Sequence, residues 1–518
     1  DDAFGKWVAG EGEVNGDGYG EVIVGAYYND AGGTDAGRAY VTAIYPYEVF
    51  SPDGGEQWVA GTTATVRWLG HDPADIALST DGGASYGTLA SGVGGAVENE
   101  FAVLVPAMAT EFARVRVSMA DLPVEHSTSD ASDGMFRIVL PHDAPAAASA
   151  LAYTLTGAAA GDWFGYSAAG AGDVNGDGYS DVIVGAYRND AGGTDAGRAY
   201  LYFCGPGADA IADLTLTGAA AGDYFGISVA GAGDVNGDGY GDVIVGAANN
   251  DAGGTDAGRA YVYFGGPGAD AVADLTLTGA AAGDCFGRSV AGAGDVNGDG
   301  RGDVIVGAYA NDAAGLGSGQ AYVYFGGLWA DAVADLTLTG AAAGDYFGIS
   351  VAGAGDVNGD GYGDVVVGAH GNDAGGAEAG SAHVYFGGPS ADAIADLTLT
   401  GAVAGDWFGY SVAGAGDVNG DGYGDVVVGA VYNDVGGTDA GQAYVYFGGP
   451  GADGTAELAP TGVATYDSFG RSVAGAGDVN GDGYGDVVVG AYANDAVGMG
   501  SGQAYVYFGG PGADAIAD

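Results

Sequence analysis

The nine residues from Asp173 to Asp181, DVNGDGYSD, place side-chain oxygens at positions 1, 3, 5 and 9 (Asp173, Asn175, Asp177, Asp181) and add the Tyr179 carbonyl at position 7. Oxygen donors on alternate residues of a short loop, with Gly178 at position 6 for the sharp bend, are how a chain wraps a hard cation that takes about six to eight oxygens. The donor set suits calcium. Zinc or copper would want His or Cys, and magnesium would keep its waters and use fewer carboxylates.

The loop recurs. Its opening acid falls at Asp173, Asp234, Asp295, Asp356, Asp417 and Asp478, a constant spacing of 61 residues. The further copies supply Asp234, Asn236, Asp238, Tyr240 and Asp242; Asp295, Asn297, Asp299, Arg301 and Asp303; and Asp356, Asn358, Asp360, Tyr362 and Asp364. Two more supply Asp417, Asn419, Asp421, Tyr423 and Asp425, then Asp478, Asn480, Asp482, Tyr484 and Asp486. A diverged seventh copy opens the chain with Glu13, Asn15, Asp17, Tyr19 and Glu21, whose outer acids are each one methylene longer; it is the loop least matched to an ion. An EF-hand is excluded, because position 12 is Val184 in a strand-like run, with no acid and no helix after it. A hairpin turn needs only the Asn-Gly or Asp-Gly pair. Acids at positions 1 and 9 of every copy would repel one another unless a cation lay between them.

The formal charge of −56, from 68 acids against 12 Lys and Arg, works against nucleic acid and anionic membranes, which need clustered cations. It favours metal ions as counter-charge and also solubility in salty surroundings. Two cysteines in 518 residues exclude a disulfide scaffold, and both read as small buried side chains. No apolar run is long enough for a membrane-spanning helix.

The elements that must position the loops are strands. Residues 214–265 contain the strand-like runs FGISVAGAG, DVIVGA and RAYVYF, with LTLTG leading in, all bounded by Gly, Asp and Asn. DVIVGA is apolar throughout, as for a strand covered on both faces, whereas LTLT alternates, as near an exposed edge. No helical period occurs. Four strands per repeat and seven repeats specify an all-β, seven-bladed β-propeller with four-stranded blades, the metal loop joining the first strand of each blade to the second.

The Phe-Gly followed by GDVNGDGYGDVIVGA resembles the FG-GAP repeats of integrin α-subunit propellers and their bacterial relatives, over residues 1–45 and about 145–518. That resemblance implies a seven-bladed ring with calcium in the first loop of each blade; it does not by itself imply integrin-like function.

Glu13 precedes Asp173 by 160 residues, 99 more than the repeat, so a segment is lodged in blade 1. The expected domains are residues 1–45 (blade 1), 46–143 (insert) and 144–518 (blades 2–7). The insert reads as a β-sandwich of about seven strands after the third strand of blade 1, projecting on the metal-loop face, and resembles the immunoglobulin-like modules of secreted bacterial surface proteins. PHDAPAAASA is its return linker.

Arg301–Asp303 spells RGD, but Asp303 is a position-9 metal ligand and Arg301 stands where other blades carry Tyr, so the triplet reads as coincidence. The NDAGGTDAG loops join second to third strands on the opposite face and, with the AAAGD loops, form an acidic, aromatic-bearing surface suited to a partner. The histidines His71, His126, His142, His370 and His383 follow no repeat and stand near no nucleophile, and the regular carboxylates belong to the metal loops, so no catalytic residue is expected. Fourth strands number six for seven blades, the chain opening and stopping on either side of the missing one. An upstream stretch would complete blade 7, or a neighbouring molecule would cover its edge and build a homo-oligomer or filament.

These readings converge on a secreted or cell-surface, non-enzymatic, calcium-binding propeller, about one ion per blade, acting in adhesion or in an extracellular fibre or matrix. The alternative is a polysaccharide-binding or polysaccharide-degrading protein using the acidic face opposite the calcium loops.

Overall fold

The computed structural model describes residues 153–517, except 206–207, 328–329, 496–500 and 512, together with the strands Phe4–Glu11, Glu21–Ala26 and Arg38–Ala43 and the backbone of seven strands between residues 48 and 131. Two compact units emerge: one of residues 1–42 and 152–517, the other of residues 43–151.

The larger unit is a seven-bladed β-propeller of antiparallel sheets. Blade 2 runs Ser167–Gly172, Asp181–Ala186, Arg198–Tyr202 and Leu214–Thr217, in that spatial order. Blades 3, 4 and 5 repeat it, and blade 1 takes Tyr153–Thr156 as its fourth strand beside Arg38–Ala43, so the intervening segment connects third strand to fourth. In blade 6 the fourth-strand place is held by two bridges, Gln442 with Thr461 and Val445 with Leu458. Blade 7 has the three strands Phe469–Gly477, Asp486–Ala491 and Gln503–Tyr507.

The all-apolar second strand is covered on both faces, as its composition requires. All six residues of Asp242–Ala247 are buried. Val243 and Val245 pack with Ile183 and Leu201 of blade 2, and Ile244 packs with Val304 and Val306 of blade 4. The core is therefore a series of inter-blade layers, each anchored by a Phe such as Phe225 or Phe286, 2 % and 1 % exposed. Burying such a ring contributes about 1.5–3 kcal/mol. The outer LTLT strand alternates: Leu216 is buried and Thr217 exposed.

Blades meet so closely that glycine is obligatory at the contact. A Cβ on Gly246 would lie 1.9 Å from the Gly287 carbonyl oxygen of the next blade. Serine ties the inner strands together: Val229 N–H donates to Ser167 Oγ at 2.9 Å, and Val290 N–H to Ser228 Oγ at 3.1 Å. The same bond from Val8 N–H to Ser472 Oγ, 2.8 Å, joins blade 1 to blade 7 and closes the ring.

The smaller unit holds two antiparallel sheets, one of Glu48–Ser51, Thr63–Leu69 and Glu98–Leu104, the other of Ser129–Ala131, Arg114–Met119, Pro73–Ser79 and Gly87–Gly94. The sandwich expected for residues 46–143 depends on side chains outside the described residues. Among the described residues no helix is long and apolar enough to cross a membrane.

Candidate functional site

Each first strand delivers its loop through a one-residue irregularity in pairing: in blade 3, Gly231 faces Val243 and Gly233 already faces Asp242. The acids then organise the loop backbone. Asp173 Oδ1 accepts from Gly176 N–H at 2.7 Å and Asp177 N–H at 3.0 Å, and its Oδ2 accepts from Gly178 N–H at 2.9 Å. Asn175 Oδ1 accepts from Asp177 N–H, Asn175 Nδ2 donates to Asp177 Oδ2, and Asp177 Oδ1 accepts from Tyr179 N–H. Gly178 sits at φ 93°, in the left-handed region that position 6 must reach.

The position-9 acid is the first residue of the second strand and the most deeply set. Asp181, Asp242, Asp303, Asp364, Asp425 and Asp486 are all 0 % exposed. Asp181 accepts from Val174 N–H at 2.9 Å and, at its other oxygen, from Cys204 N–H at 2.8 Å, tying the loop to the end of the third strand. Burial pushes these carboxyls up to about 6 or 7, against the backbone N–H bonds, and the neighbouring loop acids push the same way: Asp360 and Asp356 on Asp364, Asp482 and Asp478 on Asp486.

The sequence-derived ligands of blades 2–7 are thus brought into six loops of one construction. Glu13, Asn15, Asp17 and Tyr19 lie outside the described residues; Glu21 opens its strand as Asp181 does, and its side chain lies outside them too. Among the described residues, no three acids, histidines or cysteines are gathered as a metal cluster; the carboxylates are turned to backbone N–H groups. The donor chemistry still fits a hard divalent cation. Each carboxylate oxygen can accept twice, and the bonds above leave capacity on Asp173 Oδ2, on both oxygens of Asp177 and on Asp181 Oδ1.

Position 7 has a second use that spacing alone did not show. The Tyr240 ring lies over Gly176 of the preceding loop, where a Cβ would stand 2.3 Å from Cε1. Gly241 N–H donates to the Asp173 carbonyl at 2.8 Å, and Gly302 N–H to that of Asp234. The loops therefore form a belt, each resting on the one before. Arg301 takes the tyrosine's place over Gly237, and Asp303 is buried beneath it, so the RGD triplet is not displayed.

At the opposite end of the strands, on the face read from the sequence as acidic and aromatic-bearing, lies a cluster whose members the repeat reading did not name. The residues before each Phe-Gly, one or two after it, and after each second strand assemble Trp7, Trp163, Tyr166, Tyr187, Tyr224 and Tyr492 about Ile227 and Ala248. Tyr346, His370, Trp407 and Tyr410 continue it, with the His370 and Trp407 ring centroids 4.8 Å apart. Burial, then the nearby Arg471 charge, lowers the His370 pKa to about 4. The signal was present in the sequence among the positions at which near-identical repeats differ.

The FG-GAP repeat model matches residues 4–42, 164–202, 225–263, 286–324, 347–385, 408–446 and 469–507, together more than half of the chain. Integrin alpha-5 of Xenopus laevis is 32% identical over 182 residues, 33% of this chain and 17% of that protein. Integrin alpha-PS2 of Drosophila melanogaster is 35% identical over 175 residues, 31% of this chain and 12% of that protein. Integrin alpha-IIb of Mus musculus is 37% identical over 166 residues, 30% of this chain and 16% of that protein. The matched stretch therefore spans less than a fifth of each of these relatives.

Proposed function

Because the chain belongs to the FG-GAP repeat family and rebuilds one acidic loop in blade after blade, we propose that it is an extracellular, calcium-rigidified propeller. It serves in cell-surface adhesion or as a structural subunit of a fibre or matrix, and is not an enzyme. The observation that carries the calcium reading is the position-9 aspartate, wholly buried in six blades with one or two further loop acids acting on it. Side-chain cations do not answer that charge: the one ion pair at these loops is Arg301 with Asp299, at 3.8 Å, among the described residues.

In blade 2 the holders would be Asp173, Asn175, Asp177 and Asp181 with the Tyr179 carbonyl, and the equivalent five residues in each other blade. Bound calcium would supply the positive charge that lets the first and second strands be pinned together without carboxylate repulsion. Extracellular sites of this type bind at about 0.1–1 mM, so extracellular but not cytosolic calcium fills them. The adhesive role extends to this chain what the integrin relatives suggest.

Equilibrium dialysis with radioactive calcium, with melting curves in calcium and in chelator, tests the reading. Saturation near one ion per intact loop and a fall of many degrees in chelator are expected. No uptake at about 5 mM calcium, well above such dissociation constants, together with an unchanged melting temperature, would overturn it.

A further inference from the structure

The repeats are nearly identical along DVNGDG and VVVGA, yet the residue after each Phe-Gly reads Lys6, Tyr166, Ile227, Arg288, Ile349, Tyr410 and Arg471 in blades 1 to 7. The residue before it reads Trp, Tyr, Cys, Tyr, Trp and Ser in blades 2 to 7. Neutral drift would scatter differences along the repeat; these fall at one end of the strands, in the aromatic cluster.

Three observations mark that end as built for a ligand. First, the residue before each Phe-Gly is held in the left-handed region whatever its size, and four of the six are aromatic: Trp163, Tyr224, Cys285, Tyr346, Trp407 and Ser468 have φ of 53 to 55°. That conformation is unfavourable for a non-glycine residue, in a chain that has 108 glycines. Such strain persists where the surroundings fix it, and it clusters at functional sites.

Second, scarce cations converge there. Arg288 Nη2 donates to the Tyr166 hydroxyl at 3.3 Å, Arg188 lies 4.1 Å from the Trp163 ring centre, and Arg471 lies 4.6 Å from that of Tyr410. None of the three pairs with a carboxylate among the described residues, although acids outnumber cations several-fold. Third, polar atoms are left over. Trp7 Nε1, Arg188 Nε and His370 Nδ1 are buried without a hydrogen-bond partner among the described residues, and His370 is only 8 % exposed.

Guanidinium groups without carboxylates, beside N–H donors, call for an anion that only accepts, and their planar fork matches a carboxylate. The net charge of −56 repels a polyanion, so the ligand carries a single negative charge. Flat Trp and Tyr faces around it suit the apolar face of a pyranose ring better than an extended peptide. We propose that the aromatic end of the propeller is a binding site for an acidic sugar, a uronate-type residue on an otherwise neutral glycan. Arg288 and Arg471 take the carboxylate and Trp163 and Trp407 border the ring. The proposal stands whether or not calcium occupies the loops at the other end of the strands.

Calorimetric titration of the whole chain at low salt with glucuronate, glucose and N-acetylglycine tests it, with tryptophan fluorescence as a second readout. Glucuronate is expected to saturate one site and glucose to leave it empty. Arg288→Gln and Arg471→Gln should each weaken glucuronate about tenfold or more, the loss of a charge-assisted bond, while melting close to the parent. Should either melt early, Arg188→Gln at the rim gives the same reading. N-acetylglycine binding as tightly as glucuronate would overturn the sugar assignment in favour of a peptide carboxylate. Absence of glucuronate binding, or binding that all three substitutions leave unchanged, would show that the arginines only pack against the rings and would overturn the site.

Discussion

At the scale of single residues, the position-9 aspartate joins three tasks: it starts the second strand, caps the loop and third strand through two backbone N–H bonds, and faces its own loop's acids. Asp364→Asn keeps the shape and removes the charge. Calcium uptake should fall by one ion, and the melting gain from calcium should shrink by about one site's share, with the other loops unaffected; calorimetric stoichiometry checks this. His370 offers a pH test. Its folded pKa, about 4, lies below the free value near 6.5. The unfolded chain therefore takes up the proton first. The stability this imidazole contributes is complete above pH 6.5, declines as pH falls, and is lost below about pH 4. The loss across that window is about 3 kcal/mol. Replacing His370 with Phe should remove this dependence, of which about 2–2.5 kcal/mol falls between pH 7 and pH 4.5, as read by urea unfolding at those two values.

Between elements, stability rests on contacts that tolerate no extra atom. Gly307→Ala would place its Cβ 2.0 Å from the Gly348 carbonyl oxygen, a backbone atom of the next blade, and should destabilise by about 1–3 kcal/mol. Ser228→Ala removes the acceptor of the buried Val290 N–H and should cost about 1–3 kcal/mol. Both are read from denaturant midpoints. The strands themselves were legible beforehand, because DVIVGA and LTLT carry different patterns and the structure buries them accordingly. The loop acids were legible from their spacing. What the Tyr240 ring touches was not, since its partner, Gly176, belongs to another repeat and only the packing of adjacent blades brings it near. The aromatic character of the opposite face was legible, but its contacts were not, for a related reason: His370, Tyr410 and Arg471 share no local motif and meet only in the folded ring.

For the molecule as a whole, charge sets the conditions under which the ring holds together. With −56 formal charges and no calcium, self-repulsion opposes compaction. Monovalent salt should raise the melting temperature of the chelated protein by screening it, and should do much less once calcium is present. Calorimetric scans across ionic strength check this. The belt of loops carries a further consequence. Each loop donates a backbone N–H to the one before it and lays its Tyr or Arg side chain upon it, from blade to blade. An ion that stiffens one loop thereby lowers the ordering entropy left for its neighbour. Filling should then be sigmoidal, with a Hill coefficient above 1 that drops toward 1 when Tyr362→Ala severs one link of the chain.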